Sequence, residues 1–217
     1  MKTDNYLTIS SLAEGSYTEK RSRFLSFAMP VQTVDEAKAL VQTYRTKYYD
    51  ARHVCWAYML GAERDTFRAN DDGEPSSTAG KPILGQINAN ELTDILVIVV
   101  RYFGGIELGT SGLAKAYRTA AAEAINAAQI EERTVDADLT VLFEYPFLND
   151  IMRIVKEEHP TIITQSFNMT CRMTLRTRKN SVEHLKNRLL NVETVKCSSG
   201  ILAAVNPEEN IKKEKND

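Results

Sequence analysis

An α+β protein of two domains is what this sequence predicts, and three observations carry that prediction. From residue 134 onward the segments follow the order β-α-β-β-α-β, the split βαβ arrangement of ferredoxin-like domains. Upstream, the stretch 71–117 gathers most of the chain's glycines around one unbroken apolar run, Ile95 to Val100, which stops at Arg101. A short β-branched run closed by a charge and then by glycines reads as a buried strand feeding a turn. Ahead of both, residues 1–70 mix short strands with a capped helix.

The elements are justified in chain order. Tyr6–Ile9, Ser16–Lys20 and Phe24–Met29 read as strands, with turns at Glu14-Gly15 and Arg21-Ser22 and a stop at Pro30. Thr33 with Glu36 forms a capping box, opening a helix to about Tyr48 that buries Val34, Ala37, Leu40, Val41 and Tyr44. His53 to Leu60 alternates as a strand, with His53, Cys55 and Ala57 on one side and Val54, Trp56 and Tyr58 on the other. Thr66–Ala69 returns as its hairpin partner. Ser76 to Thr78 is expected to cap a helix to about Asn90, weakened at Gly85. After Arg101, Thr110 or Ser111 is expected to cap an alanine-rich helix to about Gln129, whose small side chains invite close packing.

The pattern changes at Glu131 to Thr134, dividing the chain into a domain of residues 1–132 and a second of residues 133–206. In the second, Val135–Tyr145 is a strand and Phe147–Glu158 a helix. Ile162–Phe167 and Thr170–Thr177 are strands, and Asn180 with Glu183 caps a further helix to about Leu190. Glu193–Cys197 and Ile201–Val205 make a last strand, broken at Gly200. Helices on one face would leave the other face of the sheet free. Residues 207–217 are charged, lack apolar anchors and are expected to be disordered.

Composition narrows the function classes. The formal charge of −2 excludes a generally basic surface, so any nucleic-acid contact must be a local patch. No apolar run approaches the roughly 20 residues of a membrane span. The opening residues form no signal peptide, and three cysteines make no pairing pattern. The expectation is a cytoplasmic protein with free thiols.

The glycine loop is the strongest chemical signal. Arg101 is followed by Gly104, Gly105, Gly109 and Gly112 and then by a helix carrying Lys115 and Arg118 in its first two turns. Helix N-termini attract anions. Cations there oppose the helix dipole by roughly 0.3–1 kcal/mol each, which a bound phosphate would reverse. An anion site and a merely tight strand-to-helix turn are equal on the residues. Asp71, Asp72 and Glu74 suit a hard cation, but pairing with Arg101 or Lys81 to fix the loop is preferred, and no metal is expected. Ser76 and Thr78 belong to the same support. His53 and Cys55 lie two apart on a strand, roughly 6–7 Å between side chains, too far for a nucleophile–base hydrogen bond. With no orienting Asn or Asp, His53 reads as loop support, and no catalytic residue or cofactor is assigned. In the second domain Arg172, Arg176 and Arg178 share one strand face, either a platform for RNA phosphates or a solvated face balanced by acids such as Glu144.

Three blocks of residues then stand out together. They are Ala51-Arg52-His53-Val54-Cys55-Trp56-Ala57-Tyr58, the run from Asp71 to Leu84, and the run from Val99 to Gly109 followed by Gly112-Leu113 and Ala116-Tyr117. In this order they resemble the IMPACT/YigZ family, in its bacterial two-domain form. Ser77 stands where many members have Gly, and Glu107 where Lys is common. The resemblance implies a first domain like a ribosomal-protein domain, β-rich with helices on one face, and a second like the C-terminal domain of elongation factor G. It also implies a role in translation, since eukaryotic relatives restrain a translation-control kinase with an additional domain. The resulting expectation is a translation-regulating protein that binds RNA or the ribosome, with a protein partner in translation control as a further option. The alternatives are an enzyme acting on a small phosphorylated or nucleotide substrate, and a protein-interaction module.

Overall fold

A computed structural model describes residues 4–201 of the chain. It divides into two compact units. One is Tyr6–Arg133, and the other runs from Thr134 and includes Asp4 and Asn5. The fold is α+β with antiparallel sheets in both.

The first unit is built on a five-stranded sheet in the order β2-β3-β6-β4-β5. Its strands are β2 (Ala13–Glu19), β3 (Ser22–Pro30), β4 (His53–Leu60), β5 (Thr66–Asn70) and β6 (Ile95–Tyr102). The apolar run occupies the middle, antiparallel to β3 and to β4, and every residue from Ile95 to Val100 is fully buried. Each such side chain contributes roughly 1.5–3 kcal/mol of burial. Alternation divides β6 between two cores. Ile95, Val97 and Val99 join Cys55, Ala57 and Met59 under α2 (Gly80–Ala89) and α3 (Gly109–Ala127). Leu96, Ile98 and Val100 join Val54, Trp56 and Tyr58 against Ala37, Val41 and Tyr44 of α1 (Val34–Lys47). Helices therefore cover both faces, not one as the family resemblance implied. The apolar face of α1 pairs with the second parity of a strand that is apolar throughout.

Local signals explain most of the elements. Glu36 N–H donates to the Thr33 hydroxyl at 3.1 Å, and the Glu36 carboxylate takes the Gln32 N–H at 2.8 Å. Gly15 is no turn but lies inside β2, because the α3 backbone crosses there. A Cβ on Gly15 would sit 2.5 Å from the Ala124 nitrogen. The alanines of α3 serve the same close approach. The interval 131–134, read as a boundary, lies within a strand, β7 (Ile130–Thr134), paired with β1 (Asn5–Ile9), and the two units divide at its end, between Arg133 and Thr134.

The second unit holds β8 (Asp136–Glu144), α4 (Leu148–Glu158), β9 (Thr161–Phe167), β10 (Thr170–Arg178), α5 (Val182–Leu190) and β11 (Lys196–Ile201). Sheet order β11-β8-β10-β9 gives the split βαβ topology. Leu139, Val141, Phe143, Cys171, Met173 and Leu175 face Ile151, Ile154, Leu185 and Leu189 of the two helices. The expected Asn180–Glu183 box does not form. A 3₁₀ turn at Lys179–Ser181 leads into α5, whose N-terminus has no side-chain cap. The last strand passes Gly200 without the expected break, and its forecast continuation to Val205, like the 207–217 tail, lies outside the described residues.

Candidate functional site

The turn between β5 and α2 is held by its own acids. Asp72 and Gly73 adopt left-handed φ values of 46° and 84°. The Asp71 carboxylate accepts from the amides of Ser77 (2.9 Å), Ala79 (3.0 Å) and Gly80 (2.8 Å), so it caps α2 from a distance in sequence. This replaces the expected cap at Ser76 to Thr78. Thr78 instead donates its hydroxyl to the Pro75 carbonyl at 2.6 Å. Asp72 takes the Val54 amide at 2.6 Å and the Arg45 guanidinium, tying the turn to β4 and α1.

Beneath the turn lies a buried polar cluster. Arg101, only 6% exposed, donates from Nη1 to Glu74 Oε1 at 2.6 Å. Tyr117 of α3 donates its hydroxyl to the same oxygen at 2.8 Å. The Cys55 thiol lies 3.0 Å from the Asp71 carbonyl and 3.3 Å from the Tyr117 hydroxyl. Burial pushes the pKa of both the Cys55 thiol and the Tyr117 hydroxyl far up, so both stay protonated and Cys55 is no nucleophile. His53 has an orienting partner that the spacing did not reveal. Its Nδ1 is 2.7 Å from the Asp72 carbonyl, an atom that only accepts, so Nδ1 carries the proton. Nε2 then points toward Glu74 Oε1 at 3.8 Å.

Above the cluster opens a cavity of about 460 Å³, lined by Arg52, His53, Glu74, Arg101, Phe103 and Glu107 and by Gly109 at the start of α3. Leu108 occupies the N-cap position and no side chain caps α3, because Thr110 and Ser111, the expected caps, are already inside the helix. The first amides of a helix have no partner within it. Gly109 has φ 69° and open space where a Cβ would stand, so its backbone can be approached closely.

The comparisons with known proteins bear on this same stretch. Residues 20–125 match the Impact N-terminal domain. IMPACT family member YvyE of Bacillus subtilis (strain 168) is 35% identical over 153 residues, covering 70% of each chain. IMPACT family member YigZ of Escherichia coli (strain K12) is 37% identical over 150 residues, covering 68% of this chain and 74% of that one. The chain belongs to the IMPACT family. A solved structure described as that of a hypothetical protein has a TM-score of 0.67 at 28% identity. It covers 94% of this chain and 99% of the other.

Within this IMPACT-family fold the other predicted residues disperse. Gly104 is not open to an anion. Its amide donates to the Ser22 hydroxyl at 3.2 Å, and a Cβ there would lie 2.1 Å from the Arg21 carbonyl carbon. Gly105 has open space and φ 84°, whereas Gly112 packs on Leu108 inside α3. Arg101 is not a free cation, since Glu74 pairs with it through Nη1. Lys115 and Arg118 are exposed on α3, and neither lines the cavity. In the second unit Arg172 and Arg178 are exposed, while Arg176 meets Asp138 in a two-pronged pair at 2.8 and 3.1 Å. The balancing acid is Asp138 across the strand, not Glu144. Among the described residues no three His, Cys, Asp or Glu gather as metal ligands, and no helix is long and apolar enough to cross a membrane.

Sequence reasoning missed Arg45, Arg52, Phe103 and Tyr117. Tyr117 was legible as an inward-facing helix residue, but its hydroxyl partner lies 43 residues away. Phe103 carried a usable signal, being an aromatic beside two glycines in a loop.

Proposed function

We propose that this IMPACT-family chain acts in translation by binding RNA, free or on the ribosome, through the cavity at the start of α3. The observation that carries the reading is the uncapped N-terminus of a 19-residue helix opening beside Arg52 and Arg101. Such a terminus favours a phosphate, and Arg52, exposed at the rim, adds a full positive charge. Arg172 and Arg178 on the helix-free sheet face of the second unit supply a separate basic surface suited to backbone phosphates.

Co-sedimentation with ribosomes and binding to total RNA, each at low and high salt, tests this. Retention at low salt that falls steeply with added salt is expected, because neutralised phosphates release counterions. Arg52→Ala is expected to weaken retention more than the Lys115→Ala plus Arg118→Ala pair. Retention of the wild type at neither salt concentration would end the proposal.

A second reading, an enzyme acting on a small phosphorylated or nucleotide substrate, is favoured by His53, whose fixed Nδ1 proton leaves Nε2 available beside the cavity. Turnover of a phosphorylated compound, lost in His53→Gln while binding persists, would decide for it.

A further inference from the structure

We infer that the cavity accepts one unpaired nucleotide unit, with its phosphate on the first amides of α3 and its base against Phe103 and Arg52. The inference rests on the anion reading of the same cavity and names what enters it. Volume sets the first bound. About 460 Å³ is within the roughly 300–1,000 Å³ of small-ligand pockets, enough for a single nucleotide and too small for a duplex end.

The two halves of a nucleotide find two kinds of wall. Gly109 presents bare backbone at the start of α3. Arg101 lines the same space. It is nine-tenths buried, and its Nε has no hydrogen-bond partner among the described residues even though Nη1 is engaged by Glu74. Glu74 takes one of the five guanidinium N–H donors, so the side chain that lines the cavity keeps capacity for an oxyanion. Phe103 lines the cavity as well and is 46% exposed, an apolar ring among polar neighbours. The Arg52 guanidinium lies 6.0 Å from its centroid and that of Arg101 5.6 Å, so ring and guanidinium together form a wall for a flat partner. Aromatic and guanidinium planes are the surfaces on which unpaired bases stack. Glu107, also on the wall, repels phosphate and holds affinity down.

Free nucleotides and RNA strands share this chemistry, and the experiment separates them. The full chain is titrated into a labelled single-stranded RNA hexamer by fluorescence anisotropy. The competitors are a 5′-mononucleotide, inorganic phosphate and a blunt duplex of the same sequence. The inference expects the mononucleotide to compete better than inorganic phosphate and the duplex to compete poorly. Phe103→Ala should weaken the single strand by roughly 5- to 100-fold, with Phe103→Trp retaining it. Arg52→Ala should weaken strand, mononucleotide and phosphate alike, and Glu107→Lys should tighten all three. If the strand binds but is indifferent to Phe103→Ala, or if the duplex competes equally, the inference is wrong while the RNA reading stands. If mononucleotide binds with the same Phe103 dependence and no RNA does, the RNA reading falls and the ligand is a free nucleotide. Binding of neither overturns both.

Discussion

Arg101 in the first unit and Arg176 in the second each meet one acidic side chain, yet the two pairs differ in kind. The Arg101 side chain is 7% exposed and that of its partner Glu74 3%, whereas Arg176 and Asp138 are 23% and 21% exposed. Arg101 engages Glu74 through one nitrogen and keeps another unpartnered, while Arg176 grips Asp138 through two. The open-face pair has better hydrogen-bond geometry and less need of it. Water solvates either partner there, so such pairs contribute little. In the buried pair each charge depends on the other, and one guanidinium nitrogen, Nε, is buried without a partner. An arginine poorly satisfied where satisfaction matters most makes the buried pair the more fragile of the two.

The largest expected effect comes from breaking the buried pair. Glu74→Leu leaves a guanidinium with no countercharge and is expected to lose about 3–5 kcal/mol in urea unfolding. Adding Arg101→Met should recover most of that loss. A double variant as unstable as the single would mean that the charges are not coupled. Asp71→Ala comes next, because three amides at the start of α2 lose their acceptor. A loss near 2 kcal/mol is expected, the upper end for a helix cap. Tyr117→Phe removes one donor from the Glu74 carboxylate and should lose about 1–2 kcal/mol without altering the near-ultraviolet circular dichroism. The smallest effect belongs to the open face. Arg176→Ala should lose about 0.2–1 kcal/mol, and less in 1 M salt. A loss matching that of Glu74→Leu would erase the contrast between the two pairs.

How much of this was legible depends on how local the cause was. The run Ile95–Val100 gives its strand because six consecutive apolar residues can be buried on both faces only in the middle of a sheet. Thr33 and Glu36 cap α1 because the signal lies within four residues. The ferredoxin-like order was readable from segment types alone. Causes acting over distance were not. Gly15 looked like a turn because nothing near it announces α3, and Thr78 looked like a cap because Asp71 supplies one from seven residues upstream. In the site, the pairing of the carboxylates with Arg101 was anticipated from opposite charge, although Glu74 and Arg101 lie 27 residues apart. Tyr117, reaching Glu74 from another element, and the Asp72 carbonyl that orients His53 become visible only once the sheet is assembled.

Gly104 links this cavity to a remote piece of chain. Its missing side chain lets the Phe103 loop rest directly on the tip of the β2–β3 hairpin, where Lys20 and Arg21 both adopt left-handed backbone angles. The hairpin tip therefore serves as a doorstop. A residue inserted at Lys20–Arg21, or a methyl group added at Gly104, would swing Phe103 away from the mouth while leaving the sheet beneath it in register.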